Sequence, residues 1–332
     1  MKEYQFSLDN TRPSKVFLCP ACGKKEFKLY LDTQTGEYIS MQVGKCNRVV
    51  KCNYHYTPKQ YFQDNQLPDK QQIQNKPIIV TPPKPSYLPK ESFDKSYGTA
   101  HPNHFLTYLR SLFHDKIAIQ LVNRFNIGTS KYWQGATVFW QIDRWSKIRT
   151  GKIMLYHPNT GKRVKEPYSH INWVHSVLEK QGKLTDFRLK QCLFGEHQLV
   201  NEPKSKQIAI VESEKTAILA SVFLPNFIWL AAGSLTNLTP ERCEVLAGRN
   251  LMLYPDLGVA DTTGQTPFDK WQEKGSLLRK KLACKVFVSE ILEQEADETE
   301  RAKGLDIADF FLQRDDHFGW ALTADDYPVF WG

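Results

Sequence analysis

Short apolar runs alternate with longer segments of helical spacing along the last third of the chain. The runs predict four buried strands, over residues 207–211, 227–231, 250–254 and 285–288. Helices are predicted to begin at Glu214, at Pro240 behind a Thr239 cap, and at Pro267. Because strands and helices alternate, the predicted fold class of residues 201–332 is α/β, a mostly parallel sheet with helices on both faces.

The middle of the chain, residues 96–200, is predicted to be a mixed α+β subdomain. Helices are predicted over 105–110 and 117–125, followed by strands over 136–142 and 152–156. The preceding residues 66–95 contain six prolines and few large apolar side chains, which predicts an extended tether. Residues 1–65 then form a separate N-terminal module, so the sequence predicts a multidomain protein.

Four of the seven cysteines lie in this N-terminal module, with the spacing of a zinc site. Cys19 and Cys22 are separated by two residues, and a predicted β-hairpin returns Cys46 and Cys52 to the same place. Zinc takes four nitrogen or sulfur ligands in a tetrahedron, so we predict a zinc β-ribbon held by these four thiolates. His55 is the alternative to Cys46, because Cys52 and His55 also have ligand spacing.

Carboxylates follow two of the predicted buried strands. Glu212 comes directly after the strand that ends at Val211, and Asp256 follows the strand over 250–254. The carboxyl ends of parallel strands meet at one edge of a sheet, so these acids are expected in one crevice. Carboxylates that converge there bind Mg²⁺ or Mn²⁺ and serve phosphodiester chemistry. The alternative is an α/β domain with ordinary surface acids.

The order of these acids resembles the Toprim domain of bacterial-type primases, topoisomerases and some nucleases. In that family a glutamate follows the first strand, an Asp-x-Asp pair follows a later strand, and another aspartate cluster lies further on. Glu212 matches the glutamate, Asp256 matches the first aspartate of the pair, and Asp306 with Asp309 matches the last cluster. Lys215 belongs to the same implied site, where it contacts a phosphate or, alternatively, faces solvent.

The chain departs from the Toprim pattern at two positions. Ser213 stands where primases usually have glycine, and Gly258 stands where the second aspartate of the pair belongs. One metal ligand is therefore missing unless another acid replaces it. Asp261 and Asp269 are the candidates, and either requires the loop after Gly258 to fold back.

Two further parts of the chain resemble bacterial and phage primases. The cysteine module is similar to the zinc ribbon that precedes their catalytic core and helps to engage template DNA. The helix pair, Arg124-Phe-x-Ile-Gly128, the strands and Cys192-Leu-Phe-Gly195 follow the order of the N-terminal half of that core. The resemblance implies structural zinc, catalytic Mg²⁺ or Mn²⁺, a single-stranded DNA template, and nucleoside triphosphates as substrates.

Charge is distributed unevenly along the chain, whose net charge is +8. Residues 96–200 carry 15 basic and 6 acidic side chains, whereas residues 201–332 carry 14 basic and 21 acidic ones. Cations follow phosphates and aromatic rings stack on bases, so the middle segment is expected to bind single-stranded DNA. The predicted contacts are Arg144, Lys147, Arg149, Lys152, Lys162 and Arg163. Trp145 and Arg149 are expected on a loop, and Trp140 in the core.

The sequence therefore predicts a primase-like protein, encoded by a mobile element, that synthesises primers. The alternatives are a non-catalytic nucleic-acid-binding accessory protein with a degenerate Toprim site, and a Toprim nuclease. No Gly-x-x-x-x-Gly-Lys-Ser/Thr motif occurs, so a helicase or replication initiator is expected as a separate partner. No apolar stretch approaches the roughly 20 residues of a membrane helix, and no signal peptide is evident. We expect a cytoplasmic protein without a membrane partner.

Overall fold

The chain separates into two units, Met1–Pro82 and Pro83–Gly332. The computed structural model describes residues 5–10, 15–48, 52–65, 84–98 and 103–318, with side chains to 314. The first part of the predicted tether, residues 66–83, lies outside the described residues. Among the described residues, no helix combines the length and apolar content needed to cross a membrane.

The first unit is a small antiparallel sheet followed by one short helix. Its elements are β1 (Phe6–Leu8), β2 (Phe17–Leu18), β3 (Lys25–Asp32), β4 (Gly44–Cys46), β5 (His55–Tyr56) and α1 (Pro58–Asp64). The strand order is β1-β3-β4-β5, with β2 paired to β3. Phe27 and Leu29 are fully buried beside two of the cysteines and form the core. Gly44 lets β3 and β4 approach, because a Cβ there would lie 2.2 Å from the Lys28 carbonyl oxygen.

The second unit begins with helices and an antiparallel sheet. Its first elements are α2 (Lys90–Asp94), α3 (His104–Leu112), α4 (Asp115–Arg124), β6 (Ile127–Ser130), β7 (Ala136–Ile142), β8 (Ile148–Met154), β9 (Ile171–Trp173) and α5 (Val174–Lys180). The strand order is β6-β7-β8-β9. The Asn103 side chain caps α3 by accepting the Leu106 N–H at 2.9 Å. Trp140 is 1% exposed, which confirms its predicted place in the core.

Residues 84–95 differ from the predicted extended tether. They include helix α2, and Leu88 is buried with its N–H donating to the Ile148 carbonyl at 2.8 Å. Leu88 packs into the same core as Trp140. The prolines that indicated a tether are compatible with this packing. The segment packs against the core without pairing as a strand, so it does not need the backbone N–H groups that proline lacks.

The strand predicted over 152–156 begins four residues earlier, at Ile148. Its first half, Ile148-Arg-Thr-Gly-Lys152, contains charged and polar residues, so the apolar pattern did not reveal it. All seven residues of β8 are nevertheless buried. The polar side chains are accommodated because they have partners inside the fold, described below.

The last part of the second unit is a parallel sheet with helices on both faces, as predicted. Its elements are β10 (Ile208–Val211), α6 (Glu214–Phe223), β11 (Ile228–Ala231), α7 (Pro240–Cys243), β12 (Asn250–Leu253), α8 (Pro267–Leu282), β13 (Lys285–Val288), α9 (Ile291–Glu295), α10 (Glu298–Lys303) and α11 (Ile307–Phe318). The strand order is β11-β10-β12-β13, and every pair is parallel. The predicted starts of α6, α7 and α8 are confirmed.

Alternate residues of the parallel strands enter two different cores. Ile208 and Ile210 pack with Trp271 and Leu278 of α8 on one face of the sheet. Ala209 and its neighbours on the other face share a core with α6, α11, α3, α4 and β7. The antiparallel subdomain therefore packs against the α6 side of the parallel sheet. This packing brings β8 beside the first turn of α6.

Candidate zinc site and carboxylate crevice

The four predicted cysteine ligands converge in the first unit. The Sγ atoms of Cys19, Cys22, Cys46 and Cys52 all lie within 4.8 Å of one another. Cys19 and Cys46 are buried, and the turn after Cys19 is closed by a 2.8 Å hydrogen bond from the Gly23 N–H to the Cys19 carbonyl. Gly23 has φ +64°, a conformation that glycine adopts without strain. The arrangement fits one tetrahedral zinc ion.

His55 is engaged elsewhere. Its Nε2 lies 3.0 Å from the Tyr30 hydroxyl, and the two rings are stacked with centroids 6.0 Å apart. The four-thiolate set is therefore complete without the histidine. Of the two ligand sets that the sequence leaves open, the structure favours the one that contains Cys46.

The electrostatics of the four sulfurs suit a cation. The Lys24 N–H, by donating to Cys22, lowers the pKa of that thiol to about 7. The Tyr54 N–H acts in the same direction on Cys52, but burial and the neighbouring thiols raise its pKa to about 12. Four thiolates at this separation repel one another, so all four are ionised together only around a positive ion.

The predicted carboxylates meet at the carboxyl edge of the parallel sheet. Glu212 follows β10 directly, and Asp256 follows β12, the neighbouring strand. Burial raises the pKa of Asp256 well above its usual value, and the charges of Asp306, Glu212 and Asp309 raise it further. Glu212 and Asp256 therefore share this edge of the sheet, and the charges of Asp306 and Asp309 act on it. No described residue donates a hydrogen bond to the carboxylates of Glu212 or Asp256, so both remain available to a ligand.

Asp306 is largely committed to holding helix α11. Its Oδ1 accepts the N–H groups of Ala308 and Asp309, both at 2.9 Å, and its Oδ2 accepts the Thr216 hydroxyl. These bonds satisfy the free N–H groups of the first turn of α11 and tie that helix to α6. Asp306 is only 8% exposed. It contributes negative charge to the crevice but has little room for a metal bond.

Lys215 faces the crevice rather than solvent. Its Nζ lies 3.4 Å from Asp309 Oδ1, and its side chain is 16% exposed. Burial lowers the pKa of Lys215, but the charges of Asp309 and Asp306 outweigh that effect and raise it overall. The ammonium group is therefore a fixed positive charge among the acids. Tyr108 approaches the same charges from α3, a neighbour that the sequence did not indicate.

Ser213 and Gly258, the two departures from the Toprim pattern, both have local structural explanations. The Ser213 hydroxyl caps α6 by accepting the Thr216 N–H at 3.1 Å. A Cβ at Gly258 would lie 2.8 Å from Pro267 Cγ, so a larger residue needs that proline to shift.

Neither candidate replacement for the missing aspartate reaches the crevice as a free ligand. Asp261 pairs with Lys270 at 2.6 Å and accepts hydrogen bonds from Thr263, which together hold its pKa well below its usual value. Asp269 forms a capping box with Thr266 at the start of α8. The donor set that remains is Glu212 and Asp256, with Asp309 shared with Lys215. These are the crevice carboxylates that could still offer oxygen ligands.

The cysteine group is tighter than the acidic one. Among the described residues, the four cysteines form the only group of three or more His, Cys, Asp or Glu side chains whose ligand atoms lie within 4.8 Å of one another. The carboxylates of the crevice are spaced more widely. An ion there would be bound through one or two carboxylates and otherwise by water or substrate oxygens, as Mg²⁺ commonly is.

The predicted DNA contacts divide into exposed and buried residues. Arg144, Lys147, Lys162 and Arg163 are exposed, and Trp145 is 65% exposed on the turn between β7 and β8.

Arg149 and Lys152 correct the prediction. Arg149 lies on β8 rather than on a loop, and its Nε donates to Asp143 at 2.7 Å. Lys152 Nζ donates to both oxygens of Glu214, at 3.0 and 3.1 Å, with 11% and 2% of the two side chains exposed. Both cations are buried and neutralised inside the protein, so neither is a surface contact for phosphate. The sequence predicted a helix that begins at Glu214, but it did not indicate the partner of this residue on β8.

Two family models match parts of the chain. A putative zinc beta-ribbon finger matches residues 4–67, and a domain of unknown function (DUF6371) matches residues 103–257. No curated protein matches the sequence. The first match agrees with the four-cysteine site in the first unit.

Solved structures similar to the chain include three DNA primases. The primase fragment of the bacteriophage T7 primase-helicase protein is 13% identical, with a TM-score of 0.36 over 82% of this chain and 88% of that one. The zinc-binding and RNA polymerase domains of the Aquifex aeolicus primase are 13% identical, with a TM-score of 0.33 over 62% and 49%. The DnaG primase catalytic domain bound to single-stranded DNA is 12% identical, with a TM-score of 0.34 over 69% and 81%. These low values show a similarity of fold alone.

Proposed function

We propose that the protein is a primase-type nucleotidyltransferase that binds single-stranded DNA and joins nucleotides at a carboxylate crevice holding one divalent ion. The observation that carries this proposal is the position of Glu212 and Asp256 on adjacent parallel strands, with unoccupied carboxylates, beside the Lys215–Asp309 pair. The order of these acids along the sequence is that of the Toprim domain, to which we assign residues 201–332.

The proposed division of labour follows from the crevice residues. Glu212 and Asp256 would hold Mg²⁺ or Mn²⁺, which when bound polarises phosphoryl oxygens and makes the attacking hydroxyl more acidic. Lys215, already fixed by Asp309, would receive a triphosphate oxygen and keep the growing negative charge near a cation. The buried Lys152–Glu214 pair holds the first turn of α6, which carries Lys215, against β8. Tyr108 closes the α3 side of the crevice.

The template would follow the exposed basic side chains of residues 96–200. Arg144, Lys147, Lys162 and Arg163 would contact phosphates, and Trp145 would stack on a base. The zinc module, residues 1–65, would help to engage the same strand, with a separate helicase or replication initiator as partner. We propose that the protein belongs to a mobile element and acts in the cytoplasm.

A second function is favoured by a specific observation. Gly258 stands where the Toprim pattern has an aspartate, and Asp306 is occupied as a helix cap. The crevice therefore has fewer free carboxylate ligands than the pattern implies. A non-catalytic accessory protein that binds zinc and DNA is consistent with this loss. The test must therefore separate binding from synthesis.

The experiment follows incorporation of labelled nucleotides on a single-stranded template with Mg²⁺ or Mn²⁺. Wild type is compared with Asp256→Ala and with the matched control Asp269→Ala, whose carboxylate caps α8. Metal-dependent products that disappear in Asp256→Ala and persist in Asp269→Ala support the enzyme. Intact zinc and DNA binding with no product under any metal supports the accessory protein. Cleavage of the template that depends on Glu212 identifies a nuclease.

A further inference from the structure

A second pocket lies in the same unit, lined by residues of the β7–β8 turn, the segment before residue 196, and helix α7. Its volume is about 320 Å³, and its lining includes Arg144, Trp145, Arg149, Lys190, Gln191 and Arg242. None of the crevice acids contributes to it. Three glutamates, Glu196, Glu241 and Glu244, also line the pocket, so its four cations outnumber its acids by one. The cations, the indole ring and the amide are the kinds of group that contact the phosphate, the face and the edge of a nucleotide.

The turn that carries Trp145 is rigidly built. Asp143 Oδ1 accepts the N–H groups of Trp145 and Lys147, both at 2.9 Å, while Oδ2 accepts Arg149 Nε. Ser146 adopts φ +58°, an unfavourable conformation for a residue with a side chain. Such strain persists only where the surroundings over-determine it. The whole arrangement holds a 65% exposed tryptophan in one place at the pocket rim.

The pocket also contains a buried donor without a partner. Arg149 is 6% exposed and its Nη1 has no hydrogen-bond acceptor among the described residues. Its guanidinium is fixed by Asp143 and by the Tyr87 ring, whose centroid lies 4.7 Å from Cζ. A buried N–H without an acceptor is costly, so an acceptor from a ligand would relieve it.

The remaining polar groups of the pocket are held in place. Arg242 donates to the Ala232 carbonyl at 3.2 Å and to Gln191 Oε1 at 2.8 Å, which fixes the Gln191 amide. Glu196 is buried, accepting the N–H groups of Arg144 and Leu193. Arg144 lies over the Trp145 ring, with its Cζ 5.5 Å from the centroid, and Lys190 is exposed. The pocket lining thus includes two exposed cations, one of them over the ring.

We propose that this pocket binds one nucleotide unit, with its base stacked on Trp145 and its phosphate between Arg144 and Lys190. This inference rests on the proposed binding of DNA, and it adds a defined site for one base of the strand. The strand is favoured over a free nucleotide because Lys147, two residues after Trp145, and further basic residues of the same subdomain are exposed.

The test measures binding of a labelled oligothymidylate by fluorescence anisotropy, without added divalent cation, in wild type, Trp145→Ala and Tyr168→Ala. Tyr168 is the matched control, because it is 56% exposed in the same subdomain and does not line the pocket. Loss of one stacked base should weaken binding about tenfold or more. The control should change binding less than about twofold, and thermal unfolding should show both variants folded. Arg144→Gln, compared with Lys165→Gln, tests the phosphate position.

A parallel titration uses a free nucleoside triphosphate. Weaker triphosphate binding by Trp145→Ala with unchanged oligonucleotide binding supports the pocket and assigns it to free nucleotides. Unchanged binding of both ligands, or equal losses in Trp145→Ala and Tyr168→Ala, overturns the proposal. Primer synthesis is measured separately with Asp256→Ala, so failure of primer synthesis and failure of this pocket are separate outcomes.

Discussion

Replacing Lys152 by methionine tests whether this residue is a DNA contact, as the sequence indicated, or an internal support. Methionine keeps much of the side-chain volume and removes the charge. In the variant, Glu214 stays 2% exposed and loses both of its 3.0 to 3.1 Å charge-assisted hydrogen bonds. The structure therefore predicts a large loss of stability and no direct loss of DNA contact.

The magnitude follows from burial. Removing one partner of a buried ion pair costs about 3–5 kcal/mol, because the other charge is left without a counterion. The matched control is Lys90→Met, since Lys90 pairs with Asp94 at 2.8 Å in a helix with 77% and 48% of the two side chains exposed. An exposed pair of this kind contributes about 0.3–0.5 kcal/mol. The two variants should therefore differ by several kcal/mol although each breaks one lysine–carboxylate pair.

The assay combines denaturant unfolding with DNA binding at a temperature where each variant is folded. Lys152→Met should unfold at a much lower denaturant concentration than Lys90→Met and bind DNA within about twofold of wild type per folded molecule. The double variant Lys152→Met with Glu214→Leu should recover most of the lost stability, because well-packed apolar residues often replace a buried pair without loss. A stable Lys152→Met protein with tenfold weaker DNA binding would refute this reasoning.

Two further predictions concern the metal sites. Protein purified without chelator should contain one zinc per chain by metal analysis. Cys22→Ser should lose the zinc, whereas Cys192→Ser, at a buried cysteine outside the cluster, should keep it. Equal zinc in the two variants contradicts the assignment. Burial and neighbouring acids raise the pKa of Asp256, so this carboxyl keeps its proton to a higher pH than usual. A carboxyl must lose its proton to bind a metal ion, so the affinity for Mn²⁺ should rise as the pH rises above the usual Asp range. By the same sign, metal-free protein should lose stability over that pH rise, and Asp256→Asn should lose less, because burial and the charge of Asp309 also raise the pKa of Asp306. Calorimetry of both proteins with and without Mn²⁺ checks this, and equal pH profiles in the two proteins rule it out.

The parallel sheet could be predicted because its signals are local. Each strand is a short apolar run, and Thr239 with Pro240 and Thr266 with Pro267 mark helix starts by capping chemistry that involves neighbouring residues. The positions of Glu212 and Asp256 then follow from topology alone, since both come after strands of one parallel sheet. The cysteine site was predictable for a similar reason, because ligand spacing within a hairpin limits which thiols can meet.

The roles of Arg149, Lys152 and Asp306 could not be predicted because their partners are distant in the sequence or depend on exact geometry. Lys152 meets Glu214 only through packing of the antiparallel sheet against α6, 62 residues later. Basic residues on a strand look the same in the sequence whether they face water or a buried acid. Asp306 matched the family order of metal ligands, but its position before α11 makes it a helix cap. The place of Asp306 in the sequence therefore indicated a metal ligand, whereas its hydrogen bonds identify a helix cap.

The balance of charge in the crevice indicates why a single divalent ion suits this chain. Glu212, Asp256, Asp306 and Asp309 bring four negative charges when all are ionised, and Lys215 returns one positive charge through its 3.4 Å contact with Asp309. One divalent ion leaves the group near neutral but still negative, whereas two would make it positive before any phosphate arrived. A second ion would also need a carboxylate that bridges the two ions. Gly258 has no carboxylate, and Pro267 occupies the space beside it. If the crevice functions as proposed, Lys215 would therefore take over the electrostatic role of a second cation without needing ligands of its own.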